Sequence, residues 1–399
     1  MNLEDQIKLL ERGCEDILPE EGLREKLKQS QNENSPLRVK LGIDASGPDI
    51  HLGFAVPLRK LKEFQEMGHT AVLIIGDFTG KIGDPTGRNK TRPQLTDEQI
   101  KENMQSYKKQ VFKILDREKT EIRYNGEWLG KMSPEDIVRL TSTFTVARML
   151  ERDYFENRFN EGVPISIHEF LYPLFQAYDS VAVNADIELG GTDQKFNLLL
   201  GRTVQENYNV KPQVTITMPI LEGTDGTRKM SKSYGNYIGI TQDPKEMFGR
   251  TMSIPDELII RYFRLTTDLD PREIEEIKDR LDNGENPRDI KVKLAKTIIE
   301  MYHSKADADR AEEEFNRIFK KGGIPDNIPE VNLDKDKTYP ILKLLNDLDL
   351  TDSNSQSRRM IKQGAVKIND NKITDIHFDY SPGENDIIRV GKRRFVKIV

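Results

Sequence analysis

The sequence contains very little cysteine, histidine and tryptophan, and it has no long apolar run. Cys14 is the only cysteine in 399 residues, which excludes an internal disulfide and a zinc site built from thiolates. The five histidines are dispersed without a pair at ligand spacing, so we expect no structural transition metal, and any metal should enter with a substrate. We also expect no permanently bound cofactor. No segment approaches the roughly 18 apolar residues of a membrane helix, and the N-terminus shows no secretory signal. We therefore expect a cytoplasmic protein without membrane association.

Two common nucleotide-binding motifs are also missing. The sequence has no Gly-x-x-x-x-Gly-Lys-Ser/Thr stretch and no Gly-x-Gly-x-x-Gly stretch after a strand pattern. Their absence argues against an ordinary P-loop NTPase and against a dinucleotide-dependent dehydrogenase. A bound nucleotide would have to be held by loops of another kind.

The composition is that of a globular protein with unevenly distributed charge. Hydrophobic residues make up 36% of the chain and charged residues 32%, and its length suits two or three domains. The net charge is −6, but residues 340–399 carry 11 Lys and Arg against 8 Asp and Glu. A basic C-terminal module on an acidic body fits local contact with RNA, although ordinary charge scatter explains the same numbers equally well.

The first half of the chain shows the pattern of a parallel α/β sheet. Residues 38–44 alternate as a strand, residues 50–67 favour a helix, and residues 70–76 form the continuous apolar run of a buried parallel strand. This order predicts a right-handed βαβ unit whose strands end at one sheet edge. We also predict a helical segment at 1–29, strands at 181–183 and 214–218, helices at 96–115, 134–151 and 166–180, and a helix that opens near 188–194 and runs to about 208.

Two smaller modules follow the predicted sheet. Residues 244–319 have helical periodicity, residues 320–337 have the composition of a linker, and residues 353–363 form a basic helix within the last module. The predicted class is α/β. It comprises a Rossmann-like parallel-sheet catalytic domain at 1–240 with a helical insertion at about 125–180, an all-α domain at 241–330 and a small α+β domain at 338–399.

The loop at residues 227–236 concentrates the chemistry of the chain. It reads Thr-Arg-Lys-Met-Ser-Lys-Ser-Tyr-Gly-Asn and places Arg228, Lys229 and Lys232 among small hydroxyl residues. At an effective dielectric of about 20, one lysine about 4 Å from a phosphate oxygen gains on the order of 4 kcal/mol. Such a loop can stabilise the charge that builds on a leaving polyphosphate, whereas the alternative is a solvated basic turn.

A second feature lies at the start of the first predicted crossover helix. His51 and Gly53 stand where exposed backbone N–H groups and the positive end of the helix dipole attract anions. Gly53 allows a flat group such as a nucleobase to approach the backbone. By itself, a histidine at a helix start is more often structural.

Together, these two features resemble the paired signatures of class I aminoacyl-tRNA synthetases. His-Leu-Gly at residues 51–53 is followed far along the chain by Lys-Met-Ser-Lys-Ser at residues 229–233. Residues 172–179, Tyr-Pro-Leu-Phe-Gln-Ala-Tyr-Asp, and residues 190–194, Gly-Gly-Thr-Asp-Gln, resemble the tyrosine-binding helix and the second substrate loop of bacterial tyrosyl-tRNA synthetases. The resemblance extends from about residue 36 to the C-terminus, where that family carries an S4-like RNA-binding domain.

The resemblance implies a tyrosine site. Asp179 would accept a hydrogen bond from the phenol hydroxyl, and Asp84 would bind the ammonium group. A buried polar partner of this kind rejects phenylalanine, because phenylalanine leaves it unpaired. The implied tyrosine-binding residues are Tyr172, Gln176, Asp179, Gln194, Asp84 and Lys40.

The resemblance also implies an ATP site and a mechanism without a covalent enzyme intermediate. The tyrosine carboxylate would attack the α-phosphate, so catalysis would consist of positioning and of stabilising the departing pyrophosphate. ATP would be a substrate, with Mg²⁺ bound largely by phosphate oxygens and water. The implied catalytic residues are Lys229, Lys232, His51 and Ser46, and the implied ATP-binding residues are Asp44, Gly53, Phe54, Asp193, Met230 and Lys232.

This chain departs from the family pattern at two places. The family usually has histidine where Phe54 stands, and usually Pro-Thr-Ala where residues 45–47 are Ala-Ser-Gly. Ser46 keeps a hydroxyl, but Phe54 cannot donate a hydrogen bond, a loss worth about 1 kcal/mol. A noncatalytic RNA-binding paralogue and a ligase for another aromatic amino acid are therefore the alternatives.

The implied activity joins L-tyrosine to tRNA(Tyr) in two steps. Tyrosyl-adenylate and pyrophosphate form first, and the tyrosyl group then moves to the 3′ end of the tRNA. The all-α domain would bind the anticodon, and Arg358, Arg359 and Lys362 in the S4-like domain are the predicted RNA contacts, since such domains bind RNA through shape and phosphate. The family also implies a homodimer whose interface comes largely from the inserted helices at about 125–180.

Overall fold

The structure, a computed structural model, describes residues 2–44, 49–84, 96–320, 328–335, 337–369, 371–391 and 394–399. It divides the chain into two units, Met1–Ser304 and Lys305–Val399. None of the described helices has the length and apolarity that crossing a bilayer requires.

A six-stranded sheet forms the centre of the first unit. Its strands are β1 (Asp16–Leu18), β2 (Arg38–Ile43), β3 (Thr70–Ile75), β4 (Thr120–Tyr124), β5 (Ile187–Gly191) and β6 (Val214–Met218). The order is β1-β6-β5-β2-β3-β4, with β2 to β6 parallel and β1 antiparallel to β6. In register, Val39 of β2 lies between Ala71 of β3 and Ile187 of β5. The predicted parallel α/β sheet is confirmed.

Helices cover the sheet and extend beyond it. The crossover from β2 to β3 buries one apolar face, including Leu58, Leu61 and Phe64, as the βαβ prediction requires. The helices before residue 210 are α1 (Leu3–Glu11), α2 (Gly22–Glu33), α3 (Leu52–Glu66), α4 (Thr79–Ile82), α5 (Asp97–Val111), α6 (Gly126–Leu129), α7 (Pro134–Thr141), α8 (Val146–Met149), α9 (Asp153–Asn160), α10 (Ile167–Ala182) and α11 (Lys195–Asn207).

Local capping signals explain where several of these helices begin. Capping boxes start α5 at Thr96 and Gln99, and α7 at Ser133 and Asp136. The helix predicted at 134–151 is two helices, since the Thr145 side chain caps a separate α8 by accepting from an N–H three residues later. The helices predicted at 96–115 and 166–180 are confirmed, each with shifted ends.

The strand predicted at 181–183 is wrong. Those residues complete α10 and its C-terminal cap, and the strand is β5, four residues further on. Glu188 is the second residue of β5, and a charged residue conceals the apolar pattern of a buried strand. The short strands β1 and β4 were not predicted either, and β1 interrupts the helical segment expected at 1–29.

Four helices complete the first unit, as the periodicity of residues 244–319 predicts. They are α12 (Pro244–Met252), α13 (Ile259–Thr266), α14 (Pro271–Asp282) and α15 (Pro287–Tyr302). Three of them begin with proline, which lacks the N–H that a first turn leaves unpaired. The preceding side chains, Asp243, Asp270 and Asn286, accept from the first turn.

The second unit is a small α+β assembly. Its helices are α16 (Lys305–Lys320), α17 (Ile341–Asp347) and α18 (Asn354–Lys362). Its strands are β7 (Glu330–Val331), β8 (Tyr339–Pro340), β9 (Val366–Ile368), β10 (Asn371–Ile373), β11 (Asp379–Tyr380), β12 (Ile387–Val390) and β13 (Arg394–Ile398). They form a sheet in the order β10-β9-β12-β13-β7 and a β11-β8 pair. Ile341, Leu345, Ile361, Val366 and Ile388 lie in its core, as expected of an α+β domain.

Candidate active site

A pocket of about 300 Å³ opens where the parallel strands of the first unit end. The last residues of β2 and β3 and the first residues after β5 contribute to its wall. Carboxyl ends of parallel strands are the usual ligand-binding edge of an open α/β sheet. The predicted residues that line this pocket are Asp44, His51, Gly53, Phe54, Asp84, Tyr172, Gln176, Asp179, Asp193, Gln194, Lys229, Met230 and Lys232.

A buried carboxylate, that of Asp179 on α10, forms part of the pocket wall. Trp128 Nε1 donates to Asp179 Oδ1 at 2.8 Å, and Asn125 Nδ2 donates to Asp179 Oδ2 at 3.3 Å. Burial raises the pKa of Asp179 to about 7, against the opposing effects of the Lys40 ammonium and these two donors. A substrate hydroxyl that donates to this carboxylate would replace part of the solvation that it has lost.

Tyr172 and Asp44 are joined by a hydrogen bond. The Tyr172 hydroxyl donates to Asp44 Oδ2 at 2.8 Å, while Thr79 Oγ1 donates to Asp44 Oδ1 at 2.9 Å. Gly76, which follows β3, makes room for this carboxylate, because a Cβ there would lie 2.1 Å from Asp44 Oδ1. Burial and the neighbouring Asp44 raise the pKa of Tyr172, so the phenol remains a donor.

Amide side chains connect the two substrate loops. Asn197 on α11 donates through Nδ2 to Gln176 Oε1 at 2.8 Å and to Gln194 Oε1 at 2.9 Å. Gln194 Nε2 in turn donates to Asp84 Oδ2 at 3.0 Å. Three of the predicted tyrosine-binding residues therefore belong to one hydrogen-bonded chain, which orients their remaining polar atoms.

Arg152 adds a cation beside this chain. Its side chain is buried, its Nη2 lies 3.6 Å from Asp84 Oδ1, and it packs against the rings of Phe155 and Phe196. An arginine held between aromatic faces keeps a fixed direction, so it can set the orientation of the carboxylate. Sequence reasoning missed four residues of the pocket and its supports, namely Asn125, Trp128, Arg152 and Asn197.

Gly53 brings the start of α3 close to the loop at 227–236. A Cβ at Gly53 would lie 3.1 Å from His51 Nδ1 and 3.5 Å from Met230 Cβ. Met230 is itself buried, and its N–H donates to the Leu221 carbonyl at 2.9 Å. The glycine thus keeps the backbone of this helix start open to a flat ligand.

His51 is buried among aromatic rings. Its centroid lies 4.6 Å from that of Phe54 and 6.2 Å from that of Tyr237. Burial, with a smaller effect from the cations of Lys232 and Lys229, lowers the pKa of His51 to about 3. His51 is therefore a neutral imidazole at pH 7, and its Nδ1 has no hydrogen-bond partner among the described residues.

The loop at 227–236 supplies two lysines with different surroundings. Lys229 Nζ lies 3.0 Å from Asp193 Oδ2, in a half-exposed ion pair. Lys232 Nζ is buried without a hydrogen-bond partner among the described residues, 5.6 Å from the centroid of the Tyr107 ring. Burial lowers the pKa of Lys232 to about 8. An unpaired buried ammonium in a pocket wall is suited to bind an anion.

Asn236 holds the shape of this loop. Its Oδ1 accepts from the Ser231 N–H at 2.8 Å, and its Nδ2 donates to Asp225 Oδ2 at 3.0 Å and to the Lys229 carbonyl at 3.2 Å. Gly223 allows this approach, because a Cβ there would lie 2.2 Å from Asn236 Cγ. The two lysines therefore stand on a loop whose ends are tied together.

The remaining predicted site residues lie elsewhere. Ser46 is outside the described residues. Lys40 is fully buried behind the pocket and does not line it. The predicted RNA contacts lie on the solvent-exposed face of α18 in the second unit, where they form a basic cluster of Arg358, Arg359 and Lys362.

Comparison with known proteins agrees with this geometry. Residues 31–320 match the family model of class I tRNA synthetases (W and Y), and residues 320–398 match the SYY-like C-terminal domain of tyrosine–tRNA ligase. The tyrosine–tRNA ligases of Carboxydothermus hydrogenoformans and Thermotoga maritima are 54% and 53% identical to this chain. Each alignment covers 100% of the chain and 98% of the relative.

Solved structures show the same fold. The tyrosyl-tRNA synthetase from Archaeoglobus fulgidus complexed with L-tyrosine superposes with a TM-score of 0.62 at 22% identity, over 78% of this chain and 98% of that chain. A C-terminally truncated mitochondrial tyrosyl-tRNA synthetase from Aspergillus nidulans gives a TM-score of 0.65 at 23% identity, over 79% and 94%.

Proposed function

The chain belongs to the class I tyrosine–tRNA ligases, and from this premise we propose how its pocket holds tyrosine and ATP. The enzyme activates tyrosine with ATP and charges tRNA with it. One observation carries the proposed arrangement: a single pocket combines the buried Asp179 carboxylate with the Lys229 and Lys232 ammonium groups. A phenol and a polyphosphate can thus bind side by side.

Tyrosine binds with its phenol hydroxyl toward Asp179. The hydroxyl donates to the carboxylate, which Trp128 and Asn125 already hold in place. The ammonium group of the substrate is held by Asp84, with Tyr172 and the amides of Gln176 and Gln194 as neighbours, whose mutual hydrogen bonds support this arrangement. Phenylalanine offers no donor to Asp179, so its binding leaves a buried carboxylate unpaired.

ATP binds over the start of α3. Gly53, Phe54 and Met230 line the pocket near the nucleoside, and the carboxylates of Asp44 and Asp193 accept from its polar groups. The nucleotide displaces Lys229 from its ion pair with Asp193, which releases the cation for phosphate. Mg²⁺ enters with ATP as part of the substrate and is held largely by phosphate oxygens and water.

The adenylation step needs no general base. The tyrosine carboxylate attacks the α-phosphate, the bond to the bridging oxygen breaks, and pyrophosphate leaves with the electron pair. Lys229 and Lys232 stabilise the growing negative charge, and His51 with Ser46 contacts the phosphate chain. Because His51 is neutral at pH 7, it acts as a hydrogen-bond donor and not as a cation.

We propose that the chain has three domains with separate roles. We assign residues 1–240 to catalysis, with the helical insertion at about 125–180, residues 241–330 to anticodon binding, and residues 338–399 to an S4-like RNA-binding domain. The exposed side chains of Arg358, Arg359 and Lys362 support the last assignment, since they can reach phosphates of structured RNA. tRNA(Tyr) is the proposed partner.

A homodimer in the cytoplasm is the proposed assembly and location. Large apolar side chains are exposed on the helices of the insertion, and a second copy of the chain would bury them. These side chains are Val138, Val146, Phe159 and Ile167.

Amino-acid-dependent exchange of labelled pyrophosphate into ATP tests the proposal directly. Tyrosine should support rapid exchange, whereas tryptophan and phenylalanine should support little. Absence of exchange with every amino acid, together with retained tRNA binding, would instead identify a noncatalytic RNA-binding paralogue. Preference for another aromatic amino acid would refute the assigned role of Asp179.

A further inference from the structure

A buried ion pair lies behind the tyrosine pocket and has no role in the steps described above. Lys40 of β2 is 0% exposed and Glu188 of β5 is 1% exposed, and Lys40 Nζ lies 2.8 Å from Glu188 Oε1. Lys40 Nζ also donates to Ser180 Oγ at 2.8 Å and to the Gln176 carbonyl at 3.0 Å. All three of its N–H groups therefore have partners.

Stability alone does not explain this pair. Removing two charges from water costs several kcal/mol per ion, and well-packed apolar side chains often serve a protein core as well or better. The neighbours of this pair in the sheet carry no charge, since Lys40 also lies beside Val72 of β3 and Glu188 beside Thr215 of β6. A lysine and a glutamate at adjacent buried positions thus suggest a use for their charges.

The pair is attached to the turn of α10 that carries the tyrosine-recognition residues. Gln176 and Ser180 are four residues apart on this helix, and Asp179 lies between them. Glu188 Oε2 also accepts from Ser180 Oγ at 3.1 Å, so both members of the pair hold the same turn. The turn cannot rotate or slide without breaking these bonds.

The two charges also act on Asp179. Burial raises the pKa of Asp179 to about 7, Lys40 lowers it, and Glu188 raises it. Trp128 and Asn125 supply neutral donors from the other side. The other titratable side chains lining the pocket near the proposed tyrosine site are Asp44, Asp84 and Tyr172.

We propose that Lys40 and Glu188 are positioning residues for tyrosine selection, which fix the recognition turn of α10 and set the charge on Asp179. The inference rests on the proposed role of Asp179 as acceptor of the phenol hydroxyl. Lys40 favours the ionised form of Asp179, which accepts this hydrogen bond, and the negative charge of Glu188 opposes that effect. Lys40 thereby acts on selectivity through Asp179 and not by touching the substrate.

Two substitutions in the full-length enzyme should shift the pH dependence in opposite directions. Tyrosine binding weakens as pH falls through the pKa of Asp179. Lys40→Met raises that pKa, so the acid limb of kcat/KM for tyrosine should move up by about one pH unit, with about fivefold lower kcat/KM at pH 7. Glu188→Gln lowers that pKa, so the limb should move down. kcat/KM for phenylalanine should show no such acid limb in either variant, because phenylalanine donates no hydrogen bond to the Asp179 carboxylate.

Glu188→Gln is the milder of the two variants for folding, because it keeps the size of the side chain and an acceptor for Lys40. The amide oxygen of the new side chain can still accept from Lys40. Gln213 Oε1, which has no partner among the residues that the structure describes, can turn toward the new amide nitrogen. Lys26→Met is the control, because Lys26 is also a buried lysine in an ion pair, 2.8 Å from Oδ1 of the partly exposed Asp186, outside the pocket. It should change thermal stability and leave the acid limb in place.

The outcomes separate this inference from the proposed function. Failure of the unaltered enzyme to exchange pyrophosphate with tyrosine would reject the proposed function. Normal exchange with an acid limb that stays fixed in Glu188→Gln, or that moves the same way in both variants, would overturn the role of the ion pair. A loss of kcat/KM that is equal for tyrosine and phenylalanine would show a merely structural role.

Discussion

At the scale of single residues, burial decides which groups can bring positive charge to the phosphates. Burial keeps His51 neutral, with a pKa of about 3, while Lys232 retains a pKa of about 8 and is mostly protonated at pH 7. A neutral histidine can orient a phosphate, but it cannot balance the charge that develops as pyrophosphate leaves. That task therefore belongs to the lysines of the loop at 227–236.

This difference predicts an alkaline limb in adenylation. The Lys232 ammonium loses its proton as pH rises through about 8, so kcat/KM for ATP should fall above that pH. Lys232→Arg keeps its charge at every accessible pH and should remove the limb, even if its overall activity is lower. Pyrophosphate exchange between pH 6 and about 10 measures both profiles. An alkaline limb of the same pKa in Lys232→Arg would assign the titration to another group.

Phe54 stands at one of the two places where the resemblance implies a different residue, here a histidine. Its ring packs on His51 and offers no donor to the nucleotide. Phe54→His should raise kcat/KM for ATP about fivefold, because one added hydrogen bond contributes about 1 kcal/mol. Phe54→Leu removes the ring without adding a donor, so it should give no gain. An unchanged or lower kcat/KM in Phe54→His would contradict the prediction and identify Phe54 as a tolerated variant.

The site residues that sequence reasoning found are those within contiguous motifs. Tyr172, Gln176 and Asp179 lie on α10 at spacings of four and three residues, so one short sequence motif contains all three. Asn125 and Trp128 support the same site from a distant segment, and Asn197 lies three residues beyond the matched loop at 190–194, so no motif includes any of them. The one signal available was that Trp128 is the only tryptophan in the chain.

At the scale of elements, hydrogen bonds fix the conformation of the loop at 227–236, which positions its two lysines. Asn236 ties its ends, and the half-exposed pair of Lys229 with Asp193 leaves that lysine exchangeable. Surface ion pairs of this kind contribute only about 0–1 kcal/mol, so ATP can break this one at little cost.

Removing these lysines should therefore affect catalysis more than tyrosine binding. Lys229→Ala and Lys232→Ala should each lower kcat of pyrophosphate exchange about 100-fold, since each deletes a group that stabilises the departing pyrophosphate. KM for tyrosine should change by less than about threefold. Lys211→Ala, an exposed lysine outside the pocket, is the control and should retain full activity. A raised tyrosine KM with kcat preserved would reject this role of the loop.

The elements that sequence reasoning missed share a physical cause. β1 has three residues, too few for a periodic pattern, and all five residues of β4 are only partly buried. β5 carries Glu188 at its second position, where a buried charge is acceptable because Lys40 neutralises it. Periodicity records the average chemistry of a face, so it cannot show a charge whose partner lies on another strand.

At the scale of the whole molecule, the substrate pocket and the basic helix α18 lie in different units. Every described residue of the pocket lies within Met1–Ser304, and the basic cluster lies within Lys305–Val399. The change in charge and the proline- and glycine-rich segment at 320–337 predict a separate C-terminal domain from residue 338, whereas the second unit begins at Lys305. The sequence did not indicate that α16 belongs to this unit, because helical periodicity continues unchanged up to Phe319.

A chain that ends at Lys335 should therefore keep adenylation and lose most tRNA charging. It retains the whole pocket, whereas the second unit loses α17, α18 and most of its sheet.

A full-length variant without the basic cluster of α18 should also have a raised KM for tRNA. This variant combines Arg358→Ala, Arg359→Ala and Lys362→Ala. The salt dependence of its tRNA binding should be flatter, because each lost phosphate contact lowers the slope by about 0.9. Both proteins should form tyrosyl-adenylate at the normal rate, as measured by pyrophosphate exchange. Equal charging by the shortened and full-length chains would exclude a tRNA role for the C-terminal domain. Normal charging by the triple variant would show that residues outside α18 contact the tRNA.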